Sequence, residues 1–246
     1  MTPQASLAHK TLHRAKMLVH RAGFDVTRET FKRRFVHALH LHGIDAVIDI
    51  GANVGQFGGA LRRAGFSGRI VSVEPLQSAF EVLQRTVGSD STWTAQRAAV
   101  GERAGMLTMN VSANSVSSSA LPMLDRHTDA APGSRYVDTE EVPSTTVDDL
   151  VAEHHLIPET TLLKIDVQGY EKPVLAGAAA TLGHFAAVRT EMSLVPLYDG
   201  QALMPDLMAT LGDAGLQLWM LEPGFVEPDT GRLLQADGVF FRGAAS

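Results

Sequence analysis

The chain has 246 residues, 45% of them hydrophobic and 20% charged, which suits one globular body with a large core and excludes a disordered chain. It contains no cysteine, so disulfides, thiolate metal sites and cysteine nucleophiles are excluded, and carboxylates and ten histidines remain as ligands or bases. The net charge of −6 is uneven: residues 1–42 hold eight lysines and arginines against two carboxylates, and the remainder holds 13 against 25.

The basic head comes first. Leu12, Ala15, Met17, Leu18 and Val19, then Phe31, Phe35, Val36, Leu39 and Leu41, recur at helical spacing on either side of residues 23–27, which predicts two helices. Their basic face is expected to be solvated while the helices pack on the body or join a second copy of the chain as a homo-oligomer. Nucleic acid is not expected, since no aromatic residues interleave the charges. No stretch approaches the roughly 18 apolar residues of a membrane span, and residues 1–21 lack the unbroken apolar core of a secretory signal, so a cytoplasmic protein is expected.

From residue 46 short apolar runs alternate with helical patterns. Strands are predicted at 46–50, 69–73, 92–100, 161–165, 186–190, 216–221 and 239–241, the signature of an open α/β sheet with helices on both faces. Residues 111–141 break this rhythm, being rich in Ser, Asn, Asp, Pro and Gly and longer than an ordinary loop. They are predicted to cover the active site.

The densest chemical signal is Asp49-Ile50-Gly51-Ala52-Asn53-Val54-Gly55-Gln56. A buried strand ends near a carboxylate, turns through glycine and enters a helix, as nucleotide-binding turns do. Glu74 follows at the end of the next strand, where a carboxylate can accept both hydroxyls of a ribose. NAD would need a small residue where its diphosphate touches the turn, and Asn53 stands there. S-adenosylmethionine has no diphosphate, and its ammonium would find an acceptor in Asp49, directly or through water, so S-adenosylmethionine is favoured over NAD.

Further blocks follow in order: Ser72-Val73-Glu74-Pro75, Ala98-Ala99-Val100-Gly101, Thr145-Thr146-Val147-Asp148-Asp149-Leu150, Leu163-Lys164-Ile165-Asp166-Val167-Gln168-Gly169-Tyr170-Glu171 and Val174-Leu175-Ala176-Gly177-Ala178. With the first turn they resemble the FkbM-type S-adenosylmethionine-dependent methyltransferases over about residues 46–241. The resemblance implies a Rossmann-like seven-stranded sheet and methylation of hydroxyls on sugars or polyketides, with Asp49, Gly51, Asn53, Gly55, Glu74, Pro75 and Ala99 near the cofactor. It is similar, more loosely, to actinobacterial members acting on sugars of glycolipids or polysaccharides. That family commonly has Glu where this chain has Gln168. The implied organisation is a helical extension, 1–45, before a methyltransferase domain, 46–246.

Transfer to a hydroxyl requires alignment of the acceptor and removal of one proton. Asp166 and Glu191 end consecutive predicted strands, so their carboxylates are expected to converge. They would either hold Mg²⁺ or supply the general base. His127 in the polar cover is the alternative base. Asn114, Ser115 and Ser117–Ser119 are candidates for bonding the hydroxyls of a sugar or oligosaccharide acceptor, and Tyr170 and Tyr198 for stacking on its ring. The competing classes are a polyketide O-methyltransferase, an NAD-dependent oxidoreductase and a non-enzymatic binding module.

Overall fold

The computed structural model describes residues 31–243. Helix α1 (Phe31–Leu41) is the second of the two predicted helices; the first lies outside the described residues. Phe35, Val36 and Leu39 are buried against the body, whereas Leu41 is 72% exposed and does not join that face.

A seven-stranded sheet follows. Its elements are β1 (Ala46–Ile50), α2 (Gln56–Arg63), β2 (Arg69–Val73), α3 (Gln77–Val87) and β3 (Trp93–Gln96), then, after an excursion, β7 (Thr161–Ile165), α6 (Glu171–Ala176), β8 (Ala187–Ser193), α7 (Met204–Asp213), β9 (Leu216–Pro223) and β10 (Gln235–Arg242). The strand order is β3-β2-β1-β7-β8-β10-β9. Five strands run parallel, and β10 pairs antiparallel with both β8 and β9.

Strands β1, β2 and β7 read as mainly apolar runs, interrupted inside only by Asp49, Ser72 and Lys164, because both faces are covered, as parallel sheets require. One face carries Ile48, Val71, Leu163 and Val188 against Leu150, Val174, Leu175 and Leu207. The other carries Val47, Ile70, Leu162 and Ala187 against Phe35, Leu39, Leu61 and Leu83.

The excursion corrects the sequence reading in two places. Residues 92–100 do not form one strand: β3 stops at Gln96, and Ala99–Val100 is a separate strand, β4. Nor are residues 111–141 an irregular cover. The flanking strands β5 (Gly105–Ser112) and β6 (Tyr136–Thr145) pair antiparallel, forming with β4 a small sheet of order β4-β6-β5. Between them lies the short helix α4 (Asp125–Ala130), and α5 (Val147–Glu153) leads back to the main sheet. Thr146 caps α5, accepting a hydrogen bond from the Asp149 N–H at 3.0 Å.

Among the described residues no helix is long and apolar enough to cross a membrane.

A candidate ligand cleft at the carboxyl ends of the parallel strands

At the end of β1 the chain turns through Gly51, Asn53 and Gly55, all at positive φ (71°, 47° and 87°), before entering α2. The Gly51 and Ala52 N–H groups donate to the Val73 carbonyl at 3.0 and 3.1 Å, which fastens the turn to β2. Asn53 Oδ1 accepts from the Val54 N–H at 2.8 Å and so stabilises its own turn. Gly51 has a second constraint. A Cβ added there would lie 1.8 Å from the Asp166 carbonyl oxygen, so the turn and the end of β7 touch backbone to backbone.

Glu74, just past the end of β2, is 4% exposed. Its two oxygens accept from the Asn53 N–H at 2.8 Å and the Leu76 N–H at 3.0 Å. Burial outweighs those bonds and pushes its carboxyl up to about 7. It faces a cleft of about 280 Å³, whose near wall is the turn itself with Phe57, Pro75 and Leu76. Ser115, Val116 and Ser118 join the lining from the small sheet's connection, as do Lys164, Asp166, Gln168, Arg189 and Asp237 from the end of the main sheet. A narrow apolar slot shares Gly51, Pro75, Met109 and Val167 with the cleft and is lined further by Ala99, Val100, Leu107 and Tyr170.

Beneath the cleft runs a row of buried polar groups that the sequence reading did not assemble. Trp93 Nε1 donates to Ser72 Oγ at 3.0 Å, and Ser72 Oγ donates to Asp49 Oδ2 at 3.1 Å. Lys164 Nζ lies 3.0 Å from Asp49 Oδ1 and 3.5 Å from Asp166 Oδ2, and donates to the carbonyls of Ile50 and Gly51 at 3.2 and 3.0 Å. Burial works to lower the Lys164 pKa, but Asp49 and Asp166 outweigh it and the net shift is upward. The signal was present in the sequence, since a lysine inside an apolar strand must find buried partners.

Asp49 is therefore corrected as a cofactor contact: it is fully buried, committed to Lys164 and Ser72, and absent from the cleft wall. Gly51, Asn53, Glu74 and Pro75 do line the cleft, and Ala99 lines the slot. Gly55 lies behind the turn, with Leu83 and Thr86 side-chain atoms 3.0 Å from where its Cβ would be.

Asp166 and Glu191 come together as expected, but through a third residue. Gln168 Nε2 donates to Asp166 Oδ1 and Glu191 Oε2, each at 3.0 Å, and Gln235 Nε2 donates to the same Glu191 oxygen at 2.6 Å. Burial, with Asp166, Glu171 and Asp237 nearby, holds the Glu191 carboxyl well above its ordinary range. This corrects the Mg²⁺ expectation. The group placed between the carboxylates is an amide nitrogen, which donates and does not ligate a hard cation, and no cluster of three or more His, Asp or Glu among the described residues suits a metal. A chelator is accordingly expected to leave turnover unchanged within about twofold. A loss restored by Mg²⁺ or Mn²⁺ would overturn this assignment.

His127 is also corrected. It lies on α4, 3% exposed, with its ring 5.1 Å from Tyr198 and 5.3 Å from Phe225, and it does not reach the cleft. Burial pushes it down to about 4, so it packs as a neutral ring. Tyr198 is core rather than a stacking platform, at 1% exposed. Ser115 and Ser118 line the cleft, whereas Ser119 is fully buried and donates to the Gln168 carbonyl at 2.7 Å. Sequence reasoning also missed Arg189. It donates to Glu222 at 2.8 Å and Asp237 at 3.1 Å, with the rings of Phe31, Phe35 and Phe57 5.4–5.5 Å away.

A doubly wound sheet, closed at one edge by an antiparallel strand pair and carrying a buried acid opposite a glycine turn at the carboxyl ends of its strands, defines a Rossmann-like nucleotide-type binding fold. The methyltransferase FkbM domain matches residues 49–218, and the chain belongs to that family. The protein is thus a methyltransferase. No curated protein matches it.

Similar solved structures include a TehB-like SAM-dependent methyltransferase from Corynebacterium glutamicum, with 13% identity over 98% of this chain and 100% of that one and a TM-score of 0.41. Another is Aeropyrum pernix fibrillarin with natively bound S-adenosyl-L-methionine, with 14% identity over 85% and 75% and a TM-score of 0.45. A third is the magnesium protoporphyrin IX methyltransferase of Synechocystis, with 11% identity over 99% of each chain and a TM-score of 0.44.

Proposed function

We propose that the protein transfers a methyl group from S-adenosylmethionine to a hydroxyl of a sugar or oligosaccharide. The observation that carries this reading is the buried Glu74 carboxyl, which lines a cleft together with the glycine turn and Asp166. The donor set fits the cofactor's parts. Glu74 has lone pairs beyond those given to Asn53 and Leu76 and would accept from the ribose hydroxyls, while Pro75, Leu76 and Met109 in the cleft lining offer apolar surface for the adenine. Asn53 stands in the turn where NAD would need a small residue beside its diphosphate, which favours this cofactor over NAD.

When bound, S-adenosylmethionine supplies a sulfonium-borne methyl group that an oxygen nucleophile can take. Asp166 lines the cleft beyond the turn and would orient the acceptor hydroxyl, accept its proton as the new carbon–oxygen bond forms, and release that proton to water. Ser115 and Ser118 add hydroxyls to the lining. With the Asp166 and Asp237 carboxylates they suit an acceptor rich in hydroxyls, which supports a carbohydrate over an apolar polyketide.

Calorimetry with S-adenosylmethionine, NAD and a short oligonucleotide tests the class, and methyl-labelled donor with a panel of methyl hexosides and polyketide alcohols tests the acceptor. Binding of NAD in place of S-adenosylmethionine would sink the cofactor reading, and labelling confined to polyketide alcohols would sink the sugar. Glu74→Ala is expected to weaken cofactor binding by about 1.5–3 kcal/mol, because a buried acceptor is lost while the strands around it stay packed. Unchanged affinity in the variant would remove Glu74 from the ribose site.

A further inference from the structure

Between Asp166 and Glu171 the chain makes a tight turn in which Gln168 and Gly169 both take positive φ, 55° and 96°. A non-glycine residue in that conformation is held by what surrounds it. The Ser119 hydroxyl donates to the Gln168 carbonyl at 2.7 Å, and the Tyr198 hydroxyl donates to Gln168 Oε1 at 2.9 Å. With its oxygen so occupied, the amide turns its nitrogen the other way and gives one N–H to Asp166 Oδ1 and the other to Glu191 Oε2. The second oxygen of Asp166 faces Lys164 Nζ at 3.5 Å, and 40% of the Asp166 side chain remains accessible on the cleft. Asp166 is therefore gripped from two sides and open on a third.

We propose that Gln168 is a positioning residue for methyl transfer: its amide fixes the direction in which the Asp166 carboxylate meets the acceptor hydroxyl and couples that carboxylate to Glu191. The proposal rests on the reading of the cleft as a methyl-transfer site. Rotation of an aspartate carboxylate about its last torsion is soft, so without a second grip its oxygens would sample orientations unsuited to an incoming hydroxyl. A donated hydrogen bond also favours the ionised carboxylate. The other charged groups facing this junction are Lys164 from β7, Glu191 and Arg189 from β8, Asp237 from β10 and Glu171 from α6. Of these, only Lys164 and Arg189 are cations, and Arg189 is already shared between Glu222 and Asp237. Removing the amide would leave Asp166 Oδ1 and Glu191 Oε2 without the donor that bridges them.

The test replaces Gln168 by methionine, which is close in length and has no amide to donate or accept. Carboxyl-carbon NMR titration of the full chain, with the Asp166 signal assigned through Asp166→Asn, is expected to show the Asp166 midpoint moving up by roughly half a pH unit or more. Turnover on the methyl hexoside panel should fall about tenfold or more in kcat, with the acid limb of its pH profile moving upward. The acceptor KM and the cofactor Kd should stay within about threefold. Tyr198→Phe, which removes the bond that turns the amide and a longer one to the Ser117 carbonyl at 3.4 Å, should give a smaller shift in the same direction and serves if the methionine variant does not fold. An unmoved midpoint with unchanged kcat overturns the proposal, as does a fall in melting temperature with neither effect. Failure of the parent to bind S-adenosylmethionine overturns the reading of the cleft and the proposal with it. If the parent binds the cofactor and methylates no hexoside, the sugar reading fails, and the titration still decides: an unmoved midpoint overturns the role given to Gln168.

Discussion

Replacing Gly51 by valine is expected to abolish binding of S-adenosylmethionine. Two independent costs fall on one position. The φ of 71° belongs to a region that β-branched residues almost never occupy, and the new Cβ would lie 1.8 Å from the Asp166 carbonyl oxygen and 2.9 Å from its carbon. The obstacle is backbone, so no side-chain rotation relieves it. The turn at 51–53 and the segment 166–168 must separate, and with them the two walls of the cleft. The clash is thus with the end of β7. Calorimetry should show at least about a hundredfold loss of affinity, roughly 2.8 kcal/mol. A loss under threefold would mean that the turn does not form the cleft wall.

Lys164→Met should destabilise the whole protein by about 3–5 kcal/mol, because it leaves Asp49 charged and buried without its cation. The same change frees the carbonyls of Ile50 and Gly51, so the cofactor turn loses its support from below. Melting and denaturant titration give the stability, and a double variant with Asp49→Asn separates the causes. If the unpaired charge dominates, the second substitution should recover much of the stability lost to the first. A single variant within about 1 kcal/mol of the parent would show that Asp49 does not depend on Lys164.

The parallel strands were legible in the sequence because burial on both faces writes itself as a short, mainly apolar run, and the predicted bounds of β1, β2 and β7 coincide with those observed. The small sheet was not. Strand β5 buries only Met109 and Ser112, and β6 is mostly polar, so both resemble loop by composition. The boundary between β3 and β4 also lacks the glycine or proline that would have announced it. At the site, Glu74 and Asp166 could be placed because strand ends in such sheets face the ligand. The commitment of Asp49 to Lys164, the burial of His127 under Tyr198 and the bridging amide of Gln168 depend on partners 115, 71 and 23 residues away in sequence, and no local pattern carries them.

The polar row Trp93–Ser72–Asp49–Lys164 crosses β3, β2, β1 and β7 in their spatial order, with Asp49 directly opposite both Ser72 and Lys164 in register. It acts as a proofreading device for strand alignment. Apolar parallel strands discriminate weakly against sliding, since one valine or isoleucine replaces another at little cost. Shifting β1 by one residue would turn Asp49 to the face occupied by Ile48 and Ile50, among Leu150 and Val174, and would strand Lys164 as well. Two buried charges without partners penalise every misaligned pairing at once. The lysine and aspartate thereby exclude the competing alignments that an entirely apolar sheet would tolerate.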